Sequence, residues 1–129
     1  VGILVLVVED DALIAMELEA GLHDGGYDTH TEASGEAAIA KLESELEIRA
    51  LITDINLQME TSGWEVARRA RELFPDLPVI YVTSVAASEW TSQGVPKSLL
   101  ISKPFAPAQI TTAISQLLNE GSAPAPTLT

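Results

Sequence analysis

The chain has 129 residues, with 19 acidic side chains against 7 basic ones, a formal charge of −12 and a pI near 4.3. This balance excludes nucleic acid as a partner of the segment, because a phosphate backbone rewards clustered Lys and Arg and repels an acidic surface. The absence of cysteine removes disulfides, thiolate metal sites and thiol nucleophiles, in keeping with a reducing compartment.

The first element is the apolar run Ile3 to Val8. It is too short to cross a bilayer or to serve as a signal-peptide core, and Glu9-Asp10-Asp11 follows it directly, so a cytoplasmic protein without a membrane partner is expected. A first helix is predicted from about Asp11 to His23, with Ile14, Leu18 and Leu22 on one face and Gly25-Gly26 as its stop. Tyr27 to Thr31 alternates polar and apolar residues as an edge strand does. A second helix follows the N-cap Ser34, with Glu36 in its first turn and Ala37, Ile39, Ala40 and Leu42 available for packing. Ala50 to Thr53 reads as a buried strand. Ser62-x-x-Glu65 is a capping box that opens a third helix, whose buried stripe is Val66, Ala67, Ala70, Leu73 and Phe74. Arg68, Arg69 and Arg71 fall off that stripe and are expected on a solvated face.

Val79 to Val82 is a further buried strand. After it, Ala86 to Gln93 has little periodicity, which predicts a short or irregular fourth helix. Leu99 to Ile101 is the last strand, and Pro107 opens a fifth helix that buries Ile110, Ala113, Ile114 and Leu117. Residues 1–120 then form one domain, and 121–129, rich in Pro, Ala, Ser and Thr, read as a flexible tail or linker. Short apolar strands alternating with helices imply an α/β fold built on a parallel sheet. His23 and His30 lack metal-ligand spacing and are expected at the surface, while Trp64 and Trp90 are expected to pack. Gly25-Gly26 ends a helix, so no glycine-rich phosphate loop supports nucleotide binding.

In open parallel sheets, ligands bind outside the carboxyl ends of the strands. The residues leaving those ends are Glu9 and Asp10, Asp54, Thr83 and Lys103. Singly, each has an ordinary alternative: a helix cap, a turn, a strand threonine, a surface lysine. Together they make three carboxylates, a hydroxyl and an ammonium that converge if the first and third strands are neighbours. Carboxylates 4 Å apart repel by roughly 4 kcal/mol per pair at an effective dielectric of about 20, so the set calls for a hard divalent cation such as Mg²⁺. An Asp carboxylate can act as a nucleophile toward phosphorus, with metal and lysine neutralising the phosphoryl oxygens.

Val7-Val8-Glu9-Asp10-Asp11, Leu51-Ile52-Thr53-Asp54-Ile55-Asn56, Val79-Ile80-Tyr81-Val82-Thr83-Ser84 and Lys103-Pro104-Phe105 resemble, in order, the motifs of bacterial two-component response-regulator receiver domains, the CheY-like superfamily. The resemblance covers about residues 3 to 119. It implies a doubly wound (βα)5 three-layer sandwich, flavodoxin-like, with a five-stranded parallel sheet of order 2-1-3-4-5. It also implies that Asp54 is the phosphoacceptor, and that Glu9, Asp10, Asp54 and the Asn56 backbone carbonyl hold Mg²⁺, with Mn²⁺ as its substitute. Thr83 and Ser84 become switch and phosphoryl-stabilising residues with Lys103, and Lys103-Pro104 a cis peptide. Gly63 matches the glycine that follows the phosphorylation loop. The expected partners are a sensor histidine kinase or histidine phosphotransfer protein and an unknown downstream protein. Leu13, Met16 and Ala20 on the exposed side of the first helix are the candidate kinase-docking surface.

Three departures accompany the resemblance. The stretch between Asp54 and Gly63 is one residue longer than common, with Gln58 where a proline is usual. Leu100 stands where many receivers carry a switch-coupled Tyr or Phe. The Thr83 to Lys103 interval is short, which favours a monomer or weak dimer. The chain is expected to stand alone or to form the front of a longer regulator, and to be an acceptor rather than an enzyme. Two other readings use the same residues: a Mg²⁺-dependent phosphohydrolase, which needs a cap domain, and a receiver-like interaction module that is not phosphorylated.

Overall fold

The computed structural model describes residues 2–45, 47–84 and 90–122. Strand and helix alternate as β1 (Leu4–Val8), α1 (Ala12–Asp24), β2 (Asp28–Glu32), α2 (Gly35–Ser44), β3 (Ile48–Asp54), α3 (Gly63–Leu73), β4 (Val79–Thr83), α4 (Trp90–Gln93), β5 (Ser98–Ser102) and α5 (Pro107–Ser122). The strands are parallel in the order β2-β1-β3-β4-β5, as the family resemblance implied.

The continuous apolar runs are explained by burial on both faces of the sheet. Successive strand residues point to opposite sides. Leu6, Val8, Leu51, Val79 and Tyr81 enter one cluster with Ala38 and Leu42 of α2 and Val66, Ala67 and Ala70 of α3. Val5, Val7, Ala50, Ile52, Ile80 and Val82 enter the other, with Leu18 and Leu22 of α1 and Ile110, Ala113 and Ile114 of α5. Helices thus cover both faces of the sheet, and its topological switch point lies between β1 and β3.

The sequence-based boundaries shift where backbone hydrogen bonds, rather than apolarity, decide them. Tyr27 donates its N–H to Leu22 O at 2.9 Å, at the end of α1, so strand pairing begins at Asp28. It runs to Glu32, whose carbonyl receives the Glu9 N–H at 3.1 Å. In α1 the interior line is Ala15, Leu18, Gly21 and Leu22, and Ile14 is only half-buried. Gly25 caps the helix and Gly26, at φ 89°, turns the chain away from it. In α2 the Ser34 hydroxyl accepts from Ala37 N at 3.1 Å as expected. Ala38 and Leu42 face the sheet, whereas Ala40, half a turn away, is exposed, contrary to the predicted packing set.

Ser62 caps α3 by accepting from Glu65 N at 3.3 Å. Val66, Ala67 and Ala70 are buried, and Leu73 and Phe74 half-buried. Arg69 meets Glu43 of α2 at 3.0 Å and Glu72 at 3.2 Å, and Arg68 donates to the Gln93 side chain. Arg71 departs from the solvated face predicted for it. Its guanidinium donates to the carbonyls of Leu77 (2.7 Å), Pro96 (2.5 Å) and Lys97 (3.4 Å), and burial holds its pKa below the usual range. It ties α3 to the connection between α4 and β5.

Residues 86–89 of the predicted fourth helix lie outside the described residues, and α4 covers only Trp90–Gln93. Both tryptophans pack: Trp64 is buried against Tyr81 with ring centroids 4.7 Å apart, and half-buried Trp90 donates Nε1–H to Ser98 Oγ at 3.0 Å. His23 is exposed beside Thr29, and half-buried His30 meets Glu32 Oε2 at 2.6 Å. α5 opens at Pro107, buries Ile110, Ala113 and Ile114, and leaves Leu117 half-buried. It continues to Ser122, beyond the boundary expected at residue 120, and residues 123–129 of the predicted tail lie outside the described residues. Among the described residues, no helix is long and apolar enough to cross a membrane.

Candidate functional site

At the end of β1 the chain divides the work of three acids. Asp11 is the N-cap of α1, its Oδ1 accepting from Leu13 N at 2.9 Å and Ile14 N at 3.2 Å, which satisfies two otherwise unpaired helix donors. Glu9 is buried, and its Oε2 accepts from Asp11 N at 3.1 Å. Asp10, between them, is half-buried and accepts from Gln58 N at 3.2 Å. The capping alternative therefore holds for Asp11, while Glu9 and Asp10 are left for other chemistry.

The end of β3 supplies Asp54, 6% exposed. Its Oδ1 accepts from Asn56 N at 3.2 Å and its Oδ2 from Lys103 Nζ at 3.0 Å. Lys103 is carried there by the sheet, because its N–H continues the β4–β5 ladder to Thr83 O at 2.7 Å. The Lys103-Pro104 bond is cis, as expected. Gly63 lies so close to β3 that a Cβ would sit 2.0 Å from the Asp54 carbonyl oxygen. Only glycine lets α3 start there. The Thr53 hydroxyl donates to that same carbonyl at 2.8 Å. This contact was not foreseen, although a polar β-branched residue inside an apolar strand was its signal.

Glu9, Asp10 and Asp54 each offer an oxygen within 4.8 Å of the others. Lys103 Nζ lies 2.8 Å from Glu9 Oε1, yet that buried oxygen has no aligned hydrogen bond. The contact is an ion pair by distance that leaves a lone-pair direction unfilled. Burial pushes the Glu9 carboxyl up to about 7, against the close Lys103 ammonium and the Asp11 hydrogen bond, with the Asp54 charge adding to the rise. Burial also opposes the charged form of Lys103, but the contacts with the Glu9 and Asp54 carboxylates outweigh it and hold the ammonium above its ordinary range. One ammonium thus meets two of the three clustered carboxylates, Glu9 and Asp54. A buried carboxylate oxygen with an unfilled lone-pair direction, an all-oxygen donor set and an excess of carboxylates over ammonium fit a hard divalent cation.

These groups line a cleft of about 480 Å³, walled by Asp11, Ile14 and Glu17 on one side and Ser84, Pro104 and Phe105 on the other. Of the residues singled out from sequence, Glu9, Asp10, Asp54, Ser84 and Lys103 meet there. Thr83 is fully buried at the end of β4, and Asn56 is exposed beside Asp54. Leu100 is half-buried on β5, in register with Tyr81. Leu13, Met16 and Ala20 are exposed on α1, the helix that also contributes Ile14 and Glu17 to the cleft.

A doubly wound five-stranded parallel sheet with a carboxylate trio and a lysine at its switch point defines an α/β protein whose candidate site lies where such sheets bind their ligands. The family profile described as the response regulator receiver domain matches residues 5–115, and the chain belongs to that family. It is similar to the phyllosphere-induced regulator PhyR of Methylorubrum extorquens, 34% identical over 115 residues that make up 88% of this chain and 43% of that protein. It is also similar to the response regulator receiver protein CpdR of Brucella abortus, 32% identical over 88% of this chain and 95% of that protein. The chain therefore spans less than half of PhyR and nearly all of CpdR. A response regulator receiver protein from Sinorhizobium medicae shares the fold with a TM-score of 0.91 and 40% identity, over 94% of this chain and 98% of that one.

Proposed function

We propose that the chain is a Mg²⁺-dependent phosphoacceptor of a two-component system, working in the cytoplasm as a monomer or weak dimer. It receives a phosphoryl group on Asp54 from the phosphohistidine of a sensor histidine kinase or histidine phosphotransfer protein. The observation that carries this reading is the buried Asp54 carboxylate, held 3.0 Å from Lys103 Nζ within a cluster that includes Glu9 and Asp10. Glu9, Asp10, Asp54 and the Asn56 carbonyl are the groups that would hold the metal, which when bound supplies positive charge to the phosphoryl oxygens.

In the transfer, an Asp54 carboxylate oxygen attacks phosphorus and the new P–O bond forms as the donor's P–N bond breaks. The electron pair stays on the departing imidazole nitrogen. Lys103 offsets the charge that gathers on the phosphoryl oxygens, and the Ser84 and Thr83 hydroxyls are the donors that turn toward the roughly −1.5 to −2 charge added. Exposed Leu13, Met16 and Ala20 on α1 provide an apolar surface for the donor's helix, and the response of β4 and α4 is read by the downstream partner. The chain is an acceptor that catalyses at most its own phosphorylation and dephosphorylation.

The test is intact-protein mass after incubation with acetyl phosphate and Mg²⁺. Wild type should gain an acid-stable, base-labile phosphoryl adduct, and Asp54→Asn should gain none. No adduct on wild type, or an equal one on the variant, overturns the assignment.

A further inference from the structure

The connection from β3 to α3 is closed at its neck, where Gly63 N–H meets Ile55 O at 2.9 Å and Gly63 abuts the Asp54 carbonyl. Its outer part is exposed at Gln58, Met59 and Glu60, and Met59 adopts φ 71°, a left-handed conformation that non-glycine residues rarely take. Two side chains from other elements hold this outer part. On one side Asp10 accepts from Gln58 N at 3.2 Å; on the other Glu36 Oε2 accepts from Thr61 N at 3.1 Å. The neighbouring Gly35 allows that second contact, since a Cβ there would lie 2.6 Å from Thr61 O. Hydrogen bonds from its own N–H, from the Thr61 hydroxyl and from the N–H groups of Thr61 and Glu60 hold the Glu36 carboxylate below its ordinary pKa, so it is a charged acceptor at neutral pH.

We propose that Glu36 is a positioning residue for the metal site, acting from α2 through the 55–62 connection. By fixing Thr61 it keeps the Met59 turn in place, and the Met59 turn keeps the Gln58 N–H on Asp10. The Asp10 carboxylate is thereby oriented toward Glu9 and Asp54, with which it shares the 4.8 Å cluster. Partners that orient a ligand without touching the metal commonly alter metal affinity by about tenfold or more. The inference rests on the proposed metal reading of the three carboxylates and adds to it a residue on a different element, 26 positions along the chain from Asp10.

The experiment compares wild type, Glu36→Ala and Glu36→Gln. Mg²⁺ affinity is read from calorimetry, thermal stability from circular dichroism, and amide hydrogen exchange at Gln58 and Thr61 from NMR of the metal-free protein. Both variants remove the charge, but only Gln keeps an acceptor for Thr61 N–H. Glu36→Ala should weaken Mg²⁺ binding about tenfold and speed exchange at both Thr61 and Gln58, and Glu36→Gln should restore most of each. Equal Mg²⁺ affinity in wild type and Glu36→Ala, or faster exchange at Thr61 with Gln58 unchanged, overturns the positioning role, even if stability falls through loss of a helix N-terminal charge. No Mg²⁺ binding by wild type overturns the metal reading itself and the proposal with it.

Discussion

Glu9 shows how much of the site's chemistry lies in one side chain. Its raised pKa means that the metal-free folded chain binds a proton more tightly than the unfolded one between the ordinary value of 4.5 and about 7. Metal-free stability therefore falls as pH rises through that window. Proton and metal compete for the same carboxylate, so apparent Mg²⁺ affinity should weaken below pH 7 and level off above it. Calorimetric titrations at pH 6 and pH 8 check this. Glu9→Gln should flatten the difference, and an unchanged slope in that variant would assign the effect elsewhere. A second residue-scale expectation concerns Tyr81, whose fully buried hydroxyl accepts from the buried Val95 N–H at 3.1 Å. Tyr81→Phe strands that donor and should cost about 1–3 kcal/mol in urea unfolding, with the α4–β5 connection loosened first. An unfolding midpoint equal to wild type would show that the bond contributes nothing net.

At the scale of elements, the strands were legible because burial on both faces makes them continuous apolar runs, and the helices because caps such as Ser34 and Ser62 are chemical signals. Their ends were less legible. Asp28, Glu32, Ser98 and Ser102 are polar residues recruited into strands by ladder hydrogen bonds that no hydrophobic pattern records. The buried role of Arg71 was missed for the same reason, since its three acceptors are carbonyls of Leu77, Pro96 and Lys97, set by loop shape. The candidate site followed the same division. Glu9, Asp10, Asp54 and Lys103 were visible from their places at strand ends. The Asp10–Gln58 and Glu36–Thr61 contacts, 48 and 25 residues apart in sequence, were not, because they depend on how the 55–62 connection is folded.

For the whole molecule, the −12 charge is concentrated in the half that carries Glu9, Asp10 and Asp54, and only part of it is answered locally by pairs such as Glu43–Arg69 and Glu45–Lys41. Salt should stabilise such a chain by screening, and Mg²⁺ should do so further by binding the folded state alone, by about 2.7 kcal/mol when its concentration is 100 times Kd. Melting curves in MgCl₂ and in NaCl of matched ionic strength separate the two contributions. An equal rise in Tm in both salts would leave no room for a specific site.

The sheet order also ranks the site's charges by how firmly they are anchored. Asp54 ends β3, the middle strand, bonded on one side to β1 and on the other to β4, whereas Lys103 leaves β5, which among the described residues has a strand partner on one side only. Partial openings of a fold begin at its margins and reach the centre last. Native-state amide exchange should therefore be slowest along β3 and faster along β5, and equal protection of the two would contradict this ranking. The anion-bearing ground of the site is its fixed half and the cation its detachable half, so a fraying margin would uncover Asp54 without deforming it.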